Sequence, residues 1–311
     1  MNGRIHPSLR KLAEMAATRP GLSEVSAEQA RAGMAARTAQ RPRGPEVEQV
    51  LDLLIPGPLG DIPVRIYRPR GAKGVALAFH GGGWLMGNLA SFDATSRNLA
   101  VDAGIAVVNV DYRLAPEHLF PAAVDDAWAA ALWVASEGAS HGLDAHRLVL
   151  LGESAGGNLA AVTALRARDA GSPLVRAQVL VYPATDARQQ AASLAEFAEG
   201  YMQTRRDVAH AFAHYGLGKT AQADDWRLSP LLAPDLSGLP PTLVITAECD
   251  AVRDDGEAFA ARLAEAGVAA TCTRYQGMLH TFYGMRGELD AAAVAQRQAA
   301  SFLRSAIDAV M

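Results

Sequence analysis

At 311 residues, half of them hydrophobic and a fifth charged, the chain is long enough for one large α/β domain with an added cap, and its composition is that of a globular enzyme. The net charge of −4 comes without runs of like charge, so neither nucleic acid nor an anionic membrane is an electrostatically favoured partner. No uninterrupted apolar run approaches the roughly 18 residues of a membrane-spanning helix, and residues 1–18 carry no apolar h-region. A secretory signal and stable membrane association are therefore not expected, and a cytoplasmic location is the default expectation.

The chain opens with Leu9, Leu12, Met15 and Ala16 at helical spacing, then a second helical stretch over 27–39. Strand-like runs follow at 50–55 and 62–67, separated by Gly57-Pro58-Leu59-Gly60, which predicts a hairpin. From there strands and helices alternate: strand 75–79, helix 92–103, strand 105–110, helix 122–137, strand 148–151, helix 158–170 and strand 177–182. The pattern resumes with strand 243–247, helix 256–266, strand 270–275 and helix 291–309. Alternation of this kind predicts an α/β fold: a mostly parallel eight-stranded sheet, antiparallel at its leading edge, with helices on both faces. Helical stretches at 194–201 and 207–215 interrupt the alternation. Residues 1–45 and 186–228 are accordingly expected to form the two parts of a helical cap, over a core built from 46–185 and 229–311. A membrane-binding amphipathic helix at 5–16 is the other reading of the N-terminus.

Gly152-Glu153-Ser154-Ala155-Gly156 lies between an apolar run and a helix-like stretch, the strand, sharp turn and helix context of a nucleophile elbow. Upstream, His80-Gly81-Gly82-Gly83-Trp84 follows another apolar run; consecutive glycines there can turn bare N–H groups towards the oxyanion of a tetrahedral intermediate. A carboxylate and a histidine should follow the serine in that order. Asp250 stands just past one strand and His280 on a loop after the next, at the sheet edge where Ser154 also stands. Ser154, Asp250 and His280 then form a nucleophile, an orienting carboxylate and a general base. Asp254 and Asp255 compete with Asp250, but a first helical turn already explains carboxylates at their positions. Glu153 reads as a paired structural carboxylate, and His80 as a support for the glycine loop. His210 and His214, with Asp207 a turn earlier, lack the residues that would complete a metal site. No metal or cofactor is expected. Trp84, Met202, Phe212 and Leu279 are candidates to line an acyl pocket or, equally, ordinary core. Cys249 and Cys272 read as reduced thiols that could be neighbours in space.

The chain resembles the bacterial hormone-sensitive-lipase family (family IV) of α/β-hydrolase carboxylesterases. The similarity runs from about residue 50 to the C-terminus through five separated motifs: His80 to Trp84, Asp111-Tyr112-Arg113-Leu114-Ala115-Pro116-Glu117, Gly152 to Gly157, Asp250 to Gly256, and Gly277-Met278-Leu279-His280. Many relatives carry Asp in place of Glu153, and glycine is usual in place of Thr281. The resemblance implies a serine carboxylesterase acting on short acyl chains, with an oxyanion hole from the Gly82, Gly83 and Ala155 N–H groups. The expected partner is a small-molecule acyl ester of short to medium chain, hydrolysed through a covalent acyl-enzyme. Because His280 must be neutral to act as base, kcat/KM is expected to fall as pH drops through about 6–7. An amidase using the same groups, and a receptor in which the cap closes on ligand without turnover, are the other readings. An edge strand could support a homodimer.

Overall fold

The computed structural model describes residues 3–172 and 174–309. Its centre is an eight-stranded sheet of order β1-β2-β4-β3-β5-β6-β7-β8. The strands are β1 (Gln49–Gly57), β2 (Gly60–Arg68), β3 (Val75–Phe79), β4 (Ala106–Val110), β5 (Leu148–Glu153), β6 (Val175–Val181), β7 (Thr242–Cys249) and β8 (Ala270–Leu279). The β1–β2 hairpin and the β2–β4 pair are antiparallel, and every pair from β4 to β8 is parallel. This is the mixed sheet expected from the alternation, and the residue period explains its two cores. On β3, Val75, Leu77 and Phe79 enter one apolar cluster while Ala76 and Ala78 enter the other, as side chains alternating across a sheet buried on both faces must.

The first cluster is completed by α4 (Ala122–Glu137), α5 (Ala155–Ala170) and α8 (Arg253–Glu265), the second by α3 (Asp93–Ala103) and α9 (Asp290–Asp308). Several helices begin earlier than periodicity predicts, α5 and α8 most clearly. The first turn of α5 runs through Gly156 and Gly157, and that of α8 through Arg253, Asp254 and Asp255. At the glycines of α5 close packing at the sheet edge, not local propensity, selects helix, whereas the acidic first turn of α8 suits the helix dipole as expected.

Outside the sheet lie α1 (Arg10–Ala17), α2 (Ala27–Thr38), α6 (Ala192–Glu196) and α7 (Arg205–Tyr215). The helical stretch expected over 194–201 ends at Glu196. There Phe197 turns into the core beneath the Arg253 guanidinium, 5.0 Å from its ring centroid. The Arg205 N–H then returns to the Ala198 carbonyl at 3.1 Å, closing the loop before α7. At the N-terminus Ile5, Leu9 and Ala13 are buried in the second cluster and Leu12 packs against it, whereas Met15 of the expected stripe is exposed. Among the described residues, no helix is long and apolar enough to cross a membrane.

The register of β7 and β8 corrects one expectation. Val244 pairs with Cys272, whereas Cys249 pairs with Leu279. The two thiols therefore sit five residues apart along the β7–β8 ladder, on the order of 16 Å at strand rise, and both are free.

Candidate active site

Ser154 occupies the single step between β5 and α5, at φ 57° and ψ −116°. That conformation is costly for a residue with a side chain and persists only where its surroundings over-determine it. Here the Ser154 N–H donates to the Val181 carbonyl at 2.9 Å, and the Ser154 carbonyl accepts from the Asn158 N–H at 3.1 Å. Gly156 shows why the turn demands small residues: a Cβ at that position would stand 2.1 Å from the Phe79 carbonyl oxygen. The helix can lie this close to β3 only without a side chain there.

His280 follows β8, and the chain turns away at Thr281 in the left-handed region, φ 75°. Asp250 follows β7. Because Cys249 pairs with Leu279, the next residue of each strand emerges side by side at the sheet's C-terminal edge. His280 Nδ1 lies 2.7 Å from Asp250 Oδ2, and His280 Nε2 lies 3.0 Å from Ser154 Oγ. A carboxylate can only accept, so Nδ1 carries the hydrogen and Nε2 is left to accept from the serine hydroxyl. Asp250 is held in turn by the Val252 N–H, which donates to Oδ1 at 3.1 Å. All three residues are buried. Burial pulls the His280 pKa down, but the charge and hydrogen bond of Asp250 outweigh it, with a further contribution from Glu153, so the pKa lies above the usual imidazole value.

Asp254 and Asp255 lie elsewhere. Asp254 accepts from Arg253 at 2.7 Å and from the Ser193 N–H at 2.8 Å. Asp255 is buried, and burial together with the nearby Asp186 raises its pKa well above the carboxylate range.

The glycine loop after β3 lies against the serine turn. Gly82, Gly83 and Trp84 all have positive φ, at 128°, 62° and 55°. A Cβ on Gly82 would fall 2.1 Å from the Met86 carbonyl oxygen, so the tight turn that aims these N–H groups cannot carry a side chain at that residue. Among the described residues, the N–H groups of Gly82, Gly83 and Ala155 have no hydrogen-bond acceptor. His80 sets the loop from beneath: its Nδ1 lies 2.9 Å from the Gly81 carbonyl, and its ring stacks on Tyr112 with centroids 4.3 Å apart. Burial lowers the His80 pKa to about 4 and lifts that of Asp111, 3.9 Å away, to about 6. His80 is thus neutral at physiological pH.

A family model for the alpha/beta hydrolase fold matches residues 76–284. The chain is 45% identical over 252 residues to the carboxylic ester hydrolase LipN of Mycobacterium tuberculosis, a match covering 78% of this chain and 66%, just under two thirds, of LipN. It is 42% identical over 271 residues to the esterase LipI of the same organism, covering 85% of this chain and 84% of LipI. A thermostable esterase from Pseudomonas putida superposes with a TM-score of 0.92 at 35% identity, covering 100% of both chains. The chain belongs to the α/β-hydrolase fold family, in its hormone-sensitive-lipase-like branch.

Within this α/β-hydrolase the residues named for an acyl pocket divide. Trp84, Phe212 and Leu279 are fully buried in the apolar clusters. Trp84 stacks on Tyr215 with centroids 4.4 Å apart and meets Phe212 at 5.1 Å. It thereby fastens the glycine loop to α7 and has the packing of core, while Met202 is half-buried against the second cluster. A surface cavity of about 530 Å³, lined by Arg41, Asp52, Arg65, Asp93 and Arg97 among others, contains none of these four residues. The His210 and His214 rings lie with centroids 4.2 Å apart, tilted by 35°, whereas Asp207 is spent capping α7 and accepting from the Ser23 N–H. Among the described residues, no group of three or more His, Cys, Asp or Glu is placed to hold a metal ion.

Several supporting residues escaped sequence reasoning. Arg31 on α2 donates to the Leu85 and Ala115 carbonyls, both at 2.9 Å, and forms a two-pronged pair with Glu117. Asn158 ties the serine helix to the Ala184 and Leu228 carbonyls at 2.9 and 2.8 Å. Tyr182 stacks obliquely on His280 with ring centroids 4.5 Å apart. None has a local signature, because each meets partners far away in sequence.

Proposed function

We propose that the protein is a serine carboxylesterase that hydrolyses short- to medium-chain acyl esters through a covalent acyl-enzyme. The observation that carries this reading is the chain of contacts from Ser154 Oγ to His280 Nε2 at 3.0 Å and from His280 Nδ1 to Asp250 Oδ2 at 2.7 Å. Its closeness to carboxylic ester hydrolases and esterases at 42–45% identity supports the same chemistry. Ser154 Oγ attacks the ester carbonyl as His280 takes its proton, while Asp250 fixes the imidazole tautomer and stabilises the imidazolium. The carbonyl oxygen, now negative, accepts from the free N–H groups of Gly82, Gly83 and Ala155, each donor of this kind being worth about 3–4 kcal/mol in the transition state. His280 returns the proton to the leaving alcohol, and water then attacks the acyl-enzyme with the same help. Residues 1–45 and 186–228 act as a helical cap over this edge. The contact between α7 and the glycine loop supports that role: a Cβ on Gly83 would meet the Ala211 methyl at 3.0 Å.

The test is hydrolysis of p-nitrophenyl esters of increasing acyl length between pH 5 and 9. Turnover is expected to be highest for the short acyl chains. It should also fall on the acid side through a pKa above the usual imidazole value, since His280 works only when neutral and Asp250 favours its charged form. A chemistry-limited rate that stays flat across this range, or no turnover of any ester, would remove the assignment.

A further inference from the structure

Glu153 has no part in the proton path just described, yet it stands directly before the nucleophile. Its carboxylate accepts from the Tyr182 hydroxyl at 2.6 Å, within the short range of charge-assisted O–H···O⁻ bonds. Tyr182 is fully buried, and its ring leans on the imidazole of His280 at 4.5 Å with 48° between the planes. The backbone shows how firmly that ring is held. Tyr182 has φ 33°, in the left-handed region, and its N–H is anchored on the Ile245 carbonyl at 2.6 Å. An aromatic residue in that conformation is strained, and strain of this kind clusters where a side chain must point in one direction. Asp250 fixes one edge of the imidazole, and Tyr182 covers a face.

Resting on the serine-esterase reading, we infer that Glu153 is a positioning residue for the general base. Through the Tyr182 hydroxyl it locks the phenol ring against His280, and it keeps a second carboxylate close to the imidazole. The Asp250 contact alone leaves the ring free to swing about the Nδ1–Oδ2 line, whereas the packed phenol removes that freedom and holds Nε2 on Ser154 Oγ. The charged and titratable groups acting on His280 and Glu153 come from several elements. Asp250 stands at the end of β7, Glu153 at the end of β5 and Tyr182 beyond β6, while Arg41 beyond α2 and Tyr283 after His280 act on or with Glu153. Burial raises the Glu153 pKa, and the Tyr182 hydrogen bond and the positive charges of His280 and Arg41 oppose that rise.

Two substitutions separate charge from orientation. Glu153→Gln keeps an acceptor for Tyr182 but removes the charge, so the acid limb of the kcat/KM profile moves to lower pH. Tyr182→Phe loses the hydroxyl contact, which also lets the Glu153 pKa rise further, so the limb moves no further than in Glu153→Gln while kcat falls on the order of tenfold or more with KM little changed. Glu153→Asp retains the charge on a shorter arm and should leave the limb in place, with kcat between those of wild type and Tyr182→Phe. Near-ultraviolet circular dichroism identifies the folded variants, and either Glu153→Gln or Tyr182→Phe alone decides the matter if the other does not fold. Wild-type kcat in Tyr182→Phe, or an unmoved acid limb in Glu153→Gln, would overturn the inference. Labelling by an active-site phosphonate keeps the two levels apart. If wild type is labelled and hydrolyses ester but the variants behave as wild type, only the role of Glu153 fails. If wild type neither labels nor turns over, the esterase reading itself fails.

Discussion

Ser154→Ala is expected to lower kcat for a short-chain p-nitrophenyl ester by about 10⁵-fold or more, with little change in fold or substrate affinity. In the proposed mechanism the hydroxyl is the atom that attacks, and His280 Nε2 is directed at Ser154 Oγ from 3.0 Å. The free N–H groups of Gly82, Gly83 and Ala155 survive the change, so a residue of catalysis over water should remain. Alanine also fits the strained turn no worse than serine, because the backbone bonds to Val181 and Asn158 are untouched. Comparison of initial rates, with circular dichroism to verify folding, checks this. Activity within tenfold of wild type would mean that the nucleophile lies elsewhere.

The second large effect belongs to Asp250→Asn, expected to reduce kcat about 10⁴-fold. The geometry dictates how. Oδ1 of Asp250 accepts the Val252 N–H at 3.1 Å, while Oδ2 faces His280 Nδ1 at 2.7 Å. In asparagine the amide oxygen must stay on the Val252 N–H, which turns the NH₂ group towards Nδ1. Nδ1 then has to accept, the imidazole hydrogen moves to Nε2, and the base presents a donor to Ser154 where an acceptor is required. The neutral amide also withdraws the charge that holds the His280 pKa up. Asp254→Asn is the control, since that carboxylate is engaged by Arg253 and the Ser193 N–H and does not touch the imidazole. Equal losses from Asp250→Asn and Asp254→Asn would point to general destabilisation in place of a tautomer effect.

Much of this site could be read from the chain because its parts are locked to local structure. A serine between a strand and a helix, glycines after a strand, and a carboxylate and histidine just past consecutive strands all owe their positions to the neighbouring backbone. The central strands were equally legible, since a sheet buried on both faces writes continuous apolar runs such as Val75 to Phe79 into the chain, whereas the half-exposed β8 runs on to Leu279, beyond the expected end at 275. What stayed hidden depends on register and distant packing. Tyr182 meets Glu153 and His280 across the sheet edge, and Arg31 reaches carbonyls more than fifty residues away. Cys249 and Cys272 could be neighbours on the sequence alone, and the β7–β8 ladder sets them five residues apart. Trp84 and Phe212 illustrate a different limit. A large apolar side chain near a catalytic loop looks the same in sequence whether it faces a ligand or, as these do, Tyr215 and the core. The two helical segments outside the alternation were recognisable by their stripes, but the short α6 ends where Phe197 finds a buried site beneath Arg253, a tertiary effect that no helical period contains.

The most direct test of the central claim is to trap the intermediate. Wild-type protein mixed with excess short-chain p-nitrophenyl ester, quenched in acid within the burst and digested, should yield one peptide heavier by the acyl group. The modification should lie on Ser154 and be missing from Ser154→Ala. An acyl group on another residue, or full turnover with Ser154 never modified, would contradict the account.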